Sequence, residues 1–170
     1  MTAAGKLLDV VTQGLNIAGS ILIVGLMVMI GADVAGRGLL GAPLPGVPEM
    51  VSLSIVAIVF LQIPAAMRAG RLTRSDAVLD RITARWPGVA RWLETVFDLI
   101  AIFIIWMIVS STWPLFERSW RRGDFVGAIG DFTAPTWPVK GIIMVGCSVL
   151  ILQFVVRILR RFLAPAEAQA

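Results

Sequence analysis

The stretch Arg68-Ala69-Gly70-Arg71-Leu72-Thr73-Arg74-Ser75-Asp76, with its continuation to Arg91, decides the fold of this chain. Two long apolar runs precede it and two follow it. Residues 68–91 contain six arginines against two acids, Asp76 and Asp80. A short loop this basic between apolar spans stays in the cytoplasm, because moving Lys and Arg across a membrane is disfavoured. The sequence therefore predicts an integral membrane protein with both ends in the cytoplasm.

The four apolar runs predict an all-α fold with four transmembrane helices in a single domain. The predicted spans are residues 15–35, 50–67, 92–113 and 139–160, with a cytoplasmic loop at 68–91 and periplasmic loops at 37–48 and 114–138. Spans of this size match a hydrocarbon core of about 30 Å at 1.5 Å per helical residue. In this arrangement ten of the fifteen basic residues fall on the cytoplasmic side, in agreement with the charge rule.

The central loop also contains an amphipathic segment within residues 76–86. Its apolar residues fall on one helical face and its arginines fall elsewhere, which predicts a short interfacial helix in the headgroup region. Asp76 would lie in the first turn of that helix, where a carboxylate complements the helix dipole. Arginines at this depth attract anionic headgroups, so membrane lipids are predicted partners.

The composition excludes several functional classes. The chain has no histidine and no tyrosine, and its one cysteine, Cys147, lies inside an apolar run. These absences exclude a His-ligated metal or haem and a paired-thiol active site, so we expect no enzyme, no cofactor and no metal. The net charge of +4 is spread beside apolar runs instead of forming one stripe, which argues against a nucleic-acid partner.

Several charged residues near the ends of the predicted spans are candidates for specific contacts. Asp33 and Arg37 are four apart and can pair on one helical face. Glu49 follows Pro48 at the start of span two, where it either complements the helix dipole or faces a partner subunit. Glu94 and Asp98 share a face, and we expect a salt link to Arg91 or to a partner chain.

Four short motifs in order carry a family resemblance. They are Asp33-Val34-Ala35-Gly36-Arg37, Pro45-Gly46-Val47-Pro48-Glu49, residues 68–76, and Ala134-Pro135-Thr136-Trp137-Pro138. Together they resemble the small permease subunit, the DctQ family, of tripartite ATP-independent periplasmic (TRAP) transporters. Many members of that family have a histidine shortly after the Arg-x-Gly of the central loop, and this chain has none.

The resemblance implies a sodium-coupled transporter of organic acids in the bacterial inner membrane. Its partners would be a large permease subunit, DctM-like, which holds the sodium and substrate sites, and a periplasmic substrate-binding protein. The small subunit would brace the large one and help to dock the binding protein. By motif position, the expected contact or anchoring residues are Arg37, Glu49 and Trp137 on the outer side and Arg68 and Asp76 on the inner side.

Three alternatives remain open at this point. The first is a self-associating small exporter or channel in which Glu49 is the coupling acid. The second is a membrane enzyme acting on lipid, which would need convergent polar residues at one interface. The third is an anchoring subunit of some other membrane complex, which overlaps physically with the TRAP interpretation.

Overall fold

Four long helices dominate the computed structural model, which describes residues 3–39, 41–70, 87–127 and 132–163. The elements in chain order are α1 (Ala3–Leu39), α2 (Val47–Arg68), α3 (Pro87–Arg122), β1 (Phe125–Val126), β2 (Ala134–Pro135) and α4 (Trp137–Leu163). Each helix is long and apolar enough to cross a membrane. The predicted all-α fold with four spans is therefore confirmed.

The helices differ in length, from 22 residues in α2 and 27 in α4 to 36 in α3 and 37 in α1. The 37 residues of α1 and 36 residues of α3 extend over about 55 Å, whereas the 22 residues of α2 cover about 33 Å. The sequence explains where α2 begins. Gly46 adopts the left-handed conformation (φ 78°) before the helix, and Pro48 occupies the first turn, where its missing N–H is not needed. The two longest helices therefore extend beyond a hydrocarbon core of about 30 Å.

Successive helices run in opposite directions and lie in the spatial order α1, α2, α4, α3. Thus α2 and α4 form the centre of the bundle, and α1 and α3 flank it. Met67 from α2 packs with Leu150 and Phe154 from α4, and apolar residues of α3 cover this cluster. Many large side chains on α1 and α3 stay exposed, among them Met27 at 72% and Phe103 at 62%.

The closest approach of α2 and α4 involves a proline and a glycine. Pro64 has no N–H, so the Phe60 carbonyl four residues earlier loses its helical hydrogen bond. Gly146 of α4 lies against that same carbonyl, and a Cβ on Gly146 would be only 2.2 Å from the Phe60 oxygen. Small residues at such contacts let membrane helices approach closely. Gly146 therefore sets the distance between the two central helices.

The connection predicted as a loop at 114–138 contains the end of a helix and a hairpin. Helix α3 continues through Pro114 to Arg122, nine residues beyond the predicted end of the third span. A proline is tolerated there because neighbouring groups can satisfy the carbonyl that it leaves without a donor. Beyond Gly123 the chain forms a two-stranded antiparallel hairpin in which Phe125 pairs with Pro135. The predicted interfacial helix within 76–86, and Asp76 with it, lie outside the described residues.

Candidate functional site

The charged residues that the structure describes lie at the two ends of the helix bundle. We call the end with Arg68, Arg157 and Arg161 the arginine end, and the opposite end, with β1 and β2, the hairpin end. Between them, residues 14–32, 50–67, 99–116 and 141–156 contain no Asp, Glu, Lys or Arg. The candidate sites of this chain are therefore the polar clusters at its two ends.

Asp98 is the centre of the cluster at the arginine end, and its side chain is 1% exposed. Its carboxylate lies 3.2 Å from Arg161 Nη1 and 3.6 Å from Arg157 Nη1. Arg161 also pairs with Glu94 at 2.7 Å. Arg157 donates to the Met67 carbonyl at the end of α2 (3.5 Å), so the cluster connects α3 and α4 to α2.

The structure gives Asp98 and Glu94 a partner that the sequence analysis did not name, because both carboxylates pair with Arg161 of α4. The Arg91 side chain lies outside the described residues, so the predicted link to Arg91 stays a prediction. Asp98 and Glu94 were correctly placed together on one face of α3. Their partners are more than 60 residues away in the sequence, and only the antiparallel packing of α3 and α4 brings them into contact.

Arg68, one of the residues predicted from the motifs, connects α2 to α1 at the arginine end. Its guanidinium lies 3.3 Å from the Asp9 carboxylate and donates to the Asp9 carbonyl (3.2 Å). Deeper in the bundle, Gln153 of α4 donates to Thr12 of α1 at 2.6 Å, and Thr12 donates to the Leu8 carbonyl. Both Thr12 and Gln153 are buried, and the sequence analysis did not identify this bridge between α1 and α4.

At the hairpin end, Asp33 holds the turn between α1 and α2. Its Oδ2 accepts from Arg37 at 2.6 Å, which is the predicted pair four residues apart. Its Oδ1 accepts from the backbone N–H of Leu44 at 2.9 Å. Asp33 is buried, whereas the Arg37 side chain is 62% exposed. The guanidinium therefore remains accessible to an outside partner.

Glu49 and Trp137 occupy the first turns of α2 and α4 at the hairpin end. Glu49 is half-buried, and it forms no ion pair or hydrogen bond with any other described residue. Trp137 stacks edge-on against Trp120 of α3 at 4.8 Å between ring centroids. The structure thus brings Arg37, Glu49 and Trp137 to one end of the molecule and places Arg68 at the other.

A second polar cluster at the hairpin end was missed by sequence reasoning. The hydroxyl of Ser119, which is fully buried, donates to Asp124 at 2.9 Å and accepts hydrogen bonds from Thr136 and Lys140. Thr136 also donates from its backbone and hydroxyl to the Asp124 carbonyl. These contacts fasten the hairpin to α3 and α4. Thr136 lies in the motif at 134–138, but nothing in the sequence showed that this motif would meet Ser119, Asp124 and Lys140.

The polar groups of both end clusters join the helices of the bundle to one another. Among residues 3–39, 41–70, 87–127 and 132–163, no three acids or cysteines are grouped so that they could hold a metal ion. At the arginine end Asp98 contacts Arg157 and Arg161, and at the hairpin end Ser119 contacts Asp124 and Lys140. Large apolar side chains cover the outer faces of α1 and α3.

Residues 26–164 match the family described as tripartite ATP-independent periplasmic transporters, DctQ component. The chain belongs to this family. It is therefore the small permease subunit of a TRAP transporter and a multi-pass membrane protein, and its family is one of transporter subunits and not of enzymes. Members of such systems act with a DctM-type permease subunit and a binding protein. No curated protein and no solved structure matches this chain.

Proposed function

We propose that this DctQ subunit braces the large permease subunit of a sodium-coupled TRAP transporter for organic acids. It lies in the bacterial inner membrane with both ends in the cytoplasm, and its hairpin end helps to dock the periplasmic binding protein. Sodium coupling and the organic-acid class rest on the family and would reside in the other subunits.

One observation carries the bracing role: the middle of all four helices is free of charged residues. A protein that couples ion and substrate movement needs polar or ionisable groups near the membrane midplane. In this chain the charged groups are at the helix ends, where they join the helices to one another. The bundle would therefore act as a rigid support beside a partner subunit that contains the transport pathway.

The faces available to that partner are on the flanking helices. Only 17% of the most apolar 18-residue window is buried in α1, and the same share is buried in α3. The large permease would cover part of these faces and lipid would cover the rest. At the hairpin end, Glu49 would make a contact between subunits, together with Arg37 and Trp137.

The rival reading is a self-associating small exporter in which Glu49 is the coupling acid. Glu49 lies in the first turn of α2, at the end of a helix of about 33 Å, and so is close to the interface. A coupling acid needs a position from which it can be reached from both sides in turn. The location of Glu49 favours a contact with another subunit.

The decisive experiment is a pull-down of the tagged chain from its native membrane in mild detergent. We expect a many-span permease subunit to co-purify in stoichiometric amount. Glu49→Gln should lower the yield of this permease subunit. Glu117→Gln should not, because it removes an exposed acid that pairs with Arg121 one turn along the same helix. Recovery of the chain alone as a homo-oligomer that transports solutes in proteoliposomes would refute the proposal.

The proposed topology has a separate test. A green fluorescent protein fused to the C-terminus should fluoresce, because this reporter folds in the cytoplasm and not after export through the Sec pathway. Alkaline phosphatase fused at the same place should be inactive. The opposite pair of results would place the arginine end outside.

A further inference from the structure

A cavity of about 210 Å³ opens at the arginine end between α1, α2 and α4. Three arginines and one acid line it: Arg68, Arg157, Arg160 and Asp9. Its volume is below the 300–1,000 Å³ of typical small-molecule pockets, so it suits a small charged group better than a whole metabolite. The lining carries an excess of positive charge, which predicts an anionic ligand.

The three arginines of the cavity differ in whether they already form ion pairs with other residues of the chain. Arg68 pairs with Asp9, and Arg157 pairs with the buried Asp98. Arg160 is exposed in the last turn of α4 and has no ion pair or hydrogen bond with the residues that the structure describes. A guanidinium presents N–H donors in a planar fork that matches two oxygens of a phosphate. Arg160 therefore supplies the donors that an anion in this cavity would use.

An apolar groove leads away from the cavity along α1. It is lined by Val10, Gln13, Gly14 and Ile17, and it shares Asp9 and Arg68 with the cavity. These positions recur at three- and four-residue spacing on one face of the helix. From Asp9 to Ile17 the groove extends about 12 Å towards the middle of the bundle. Gly14 leaves it open, since nothing lies within 4 Å of where its Cβ would be.

We propose that the cavity and groove form a binding site for one anionic phospholipid. The phosphate lies between Arg68 and Arg160, and one acyl chain follows the groove past Gly14 to Ile17. A phosphate group alone would explain the arginines but not the adjoining apolar groove. A neighbouring protein helix would fill the groove but would bring no anion to Arg160. A phospholipid matches both halves of the site, and basic pockets between membrane helices are known to take such headgroups.

The site is tested by native mass spectrometry of the full-length chain, purified in mild detergent with any subunit that accompanies it. The probes are phosphatidylglycerol, phosphatidylcholine with the same acyl chains, and inorganic phosphate. We expect one phosphatidylglycerol to bind with preference over phosphatidylcholine. Arg160→Gln should weaken its binding about fivefold, the effect of one arginine near a membrane surface. Lys6→Gln removes one charge from the same end outside the cavity lining and should change the affinity much less.

The groove has its own matched pair of variants. Gly14→Leu should fill the groove and weaken phosphatidylglycerol binding, whereas Gly25→Leu, at an equally open position of α1 outside the groove, should not. Neither glycine has a positive φ, so both variants are expected to remain helical and folded. If Arg160→Gln does not yield folded protein, the Gly14 and Gly25 pair decides the question.

Three results would overturn the proposal. Equal binding of the two phospholipids, or equal weakening by Lys6→Gln and Arg160→Gln, would indicate general surface attraction only. Binding of inorganic phosphate that Gly14→Leu leaves unchanged, without preferential binding of phosphatidylglycerol, would assign the cavity to a soluble anion. Loss of a co-purifying subunit in Gly14→Leu, with lipid binding intact, would show that a helix occupies the groove. None of these results bears on the pull-down of the wild-type chain, so the two proposals can fail separately.

Discussion

The contact between Gly146 and the Phe60 carbonyl can be tested by adding a single methyl group. In Gly146→Ala the new Cβ would be 2.2 Å from the carbonyl oxygen and 2.9 Å from its carbon. The two central helices must move apart by roughly 1 Å to restore an ordinary contact, because protein interiors are close-packed. Overpacking of this kind costs about 1–3 kcal/mol. Alanine favours a helix over glycine by up to about 1 kcal/mol, so the net loss of stability is up to about 2 kcal/mol, and the difference from a glycine-to-alanine change at an open position is about 1–3 kcal/mol.

Gly25→Ala is the matched control for this substitution. It adds the same methyl group inside a helix, but nothing lies within 4 Å of its Cβ, so it should be neutral or stabilising. Unfolding is followed by the loss of helical circular dichroism as sodium dodecyl sulfate is added to mixed micelles. Equal stability of Gly146→Ala and Gly25→Ala would refute the close approach of α2 and α4 at Gly146.

The remaining predictions concern the polar ends and are measured in the same unfolding assay. Asp98→Asn should destabilise the bundle by about 3–5 kcal/mol, because it removes the negative charge of a fully buried carboxylate that pairs with both Arg157 and Arg161. Glu94→Gln, at a more exposed carboxylate of the same cluster, should destabilise it clearly less. Equal losses of stability would contradict a central role for Asp98. Ser119→Ala should lower the free energy of unfolding by about 1–3 kcal/mol, because Asp124, Thr136 and Lys140 lose the hydroxyl that they share. An unchanged unfolding midpoint would show that other contacts hold the hairpin. Gly46→Ala should lower the free energy of unfolding by at least about 1–2 kcal/mol, because a φ of 78° brings the Cβ of alanine too close to the backbone. An unfolding midpoint equal to that of the wild type would exclude this turn geometry.

The sequence alone determined the features that depend on local chemistry. Apolar runs of sufficient length predicted four membrane helices, and the four-residue spacing of Asp33 and Arg37 predicted their ion pair. Pro48 and Glu49 marked the start of α2 within three residues of its position in the structure. The family motifs could also be recognised without coordinates, because they are short stretches in a set order.

Only the tertiary structure decided which distant residues meet. The spatial order α1, α2, α4, α3 joins Asp98 to Arg157 and Arg161, and it presses Gly146 against the carbonyl that Pro64 leaves without a donor. No periodicity in the sequence encodes such pairings, because helical spacing specifies a face but not the helix that covers it. The structure also decided where α3 ends, because Pro114 disfavours a helix locally and yet the helix continues through it to Arg122.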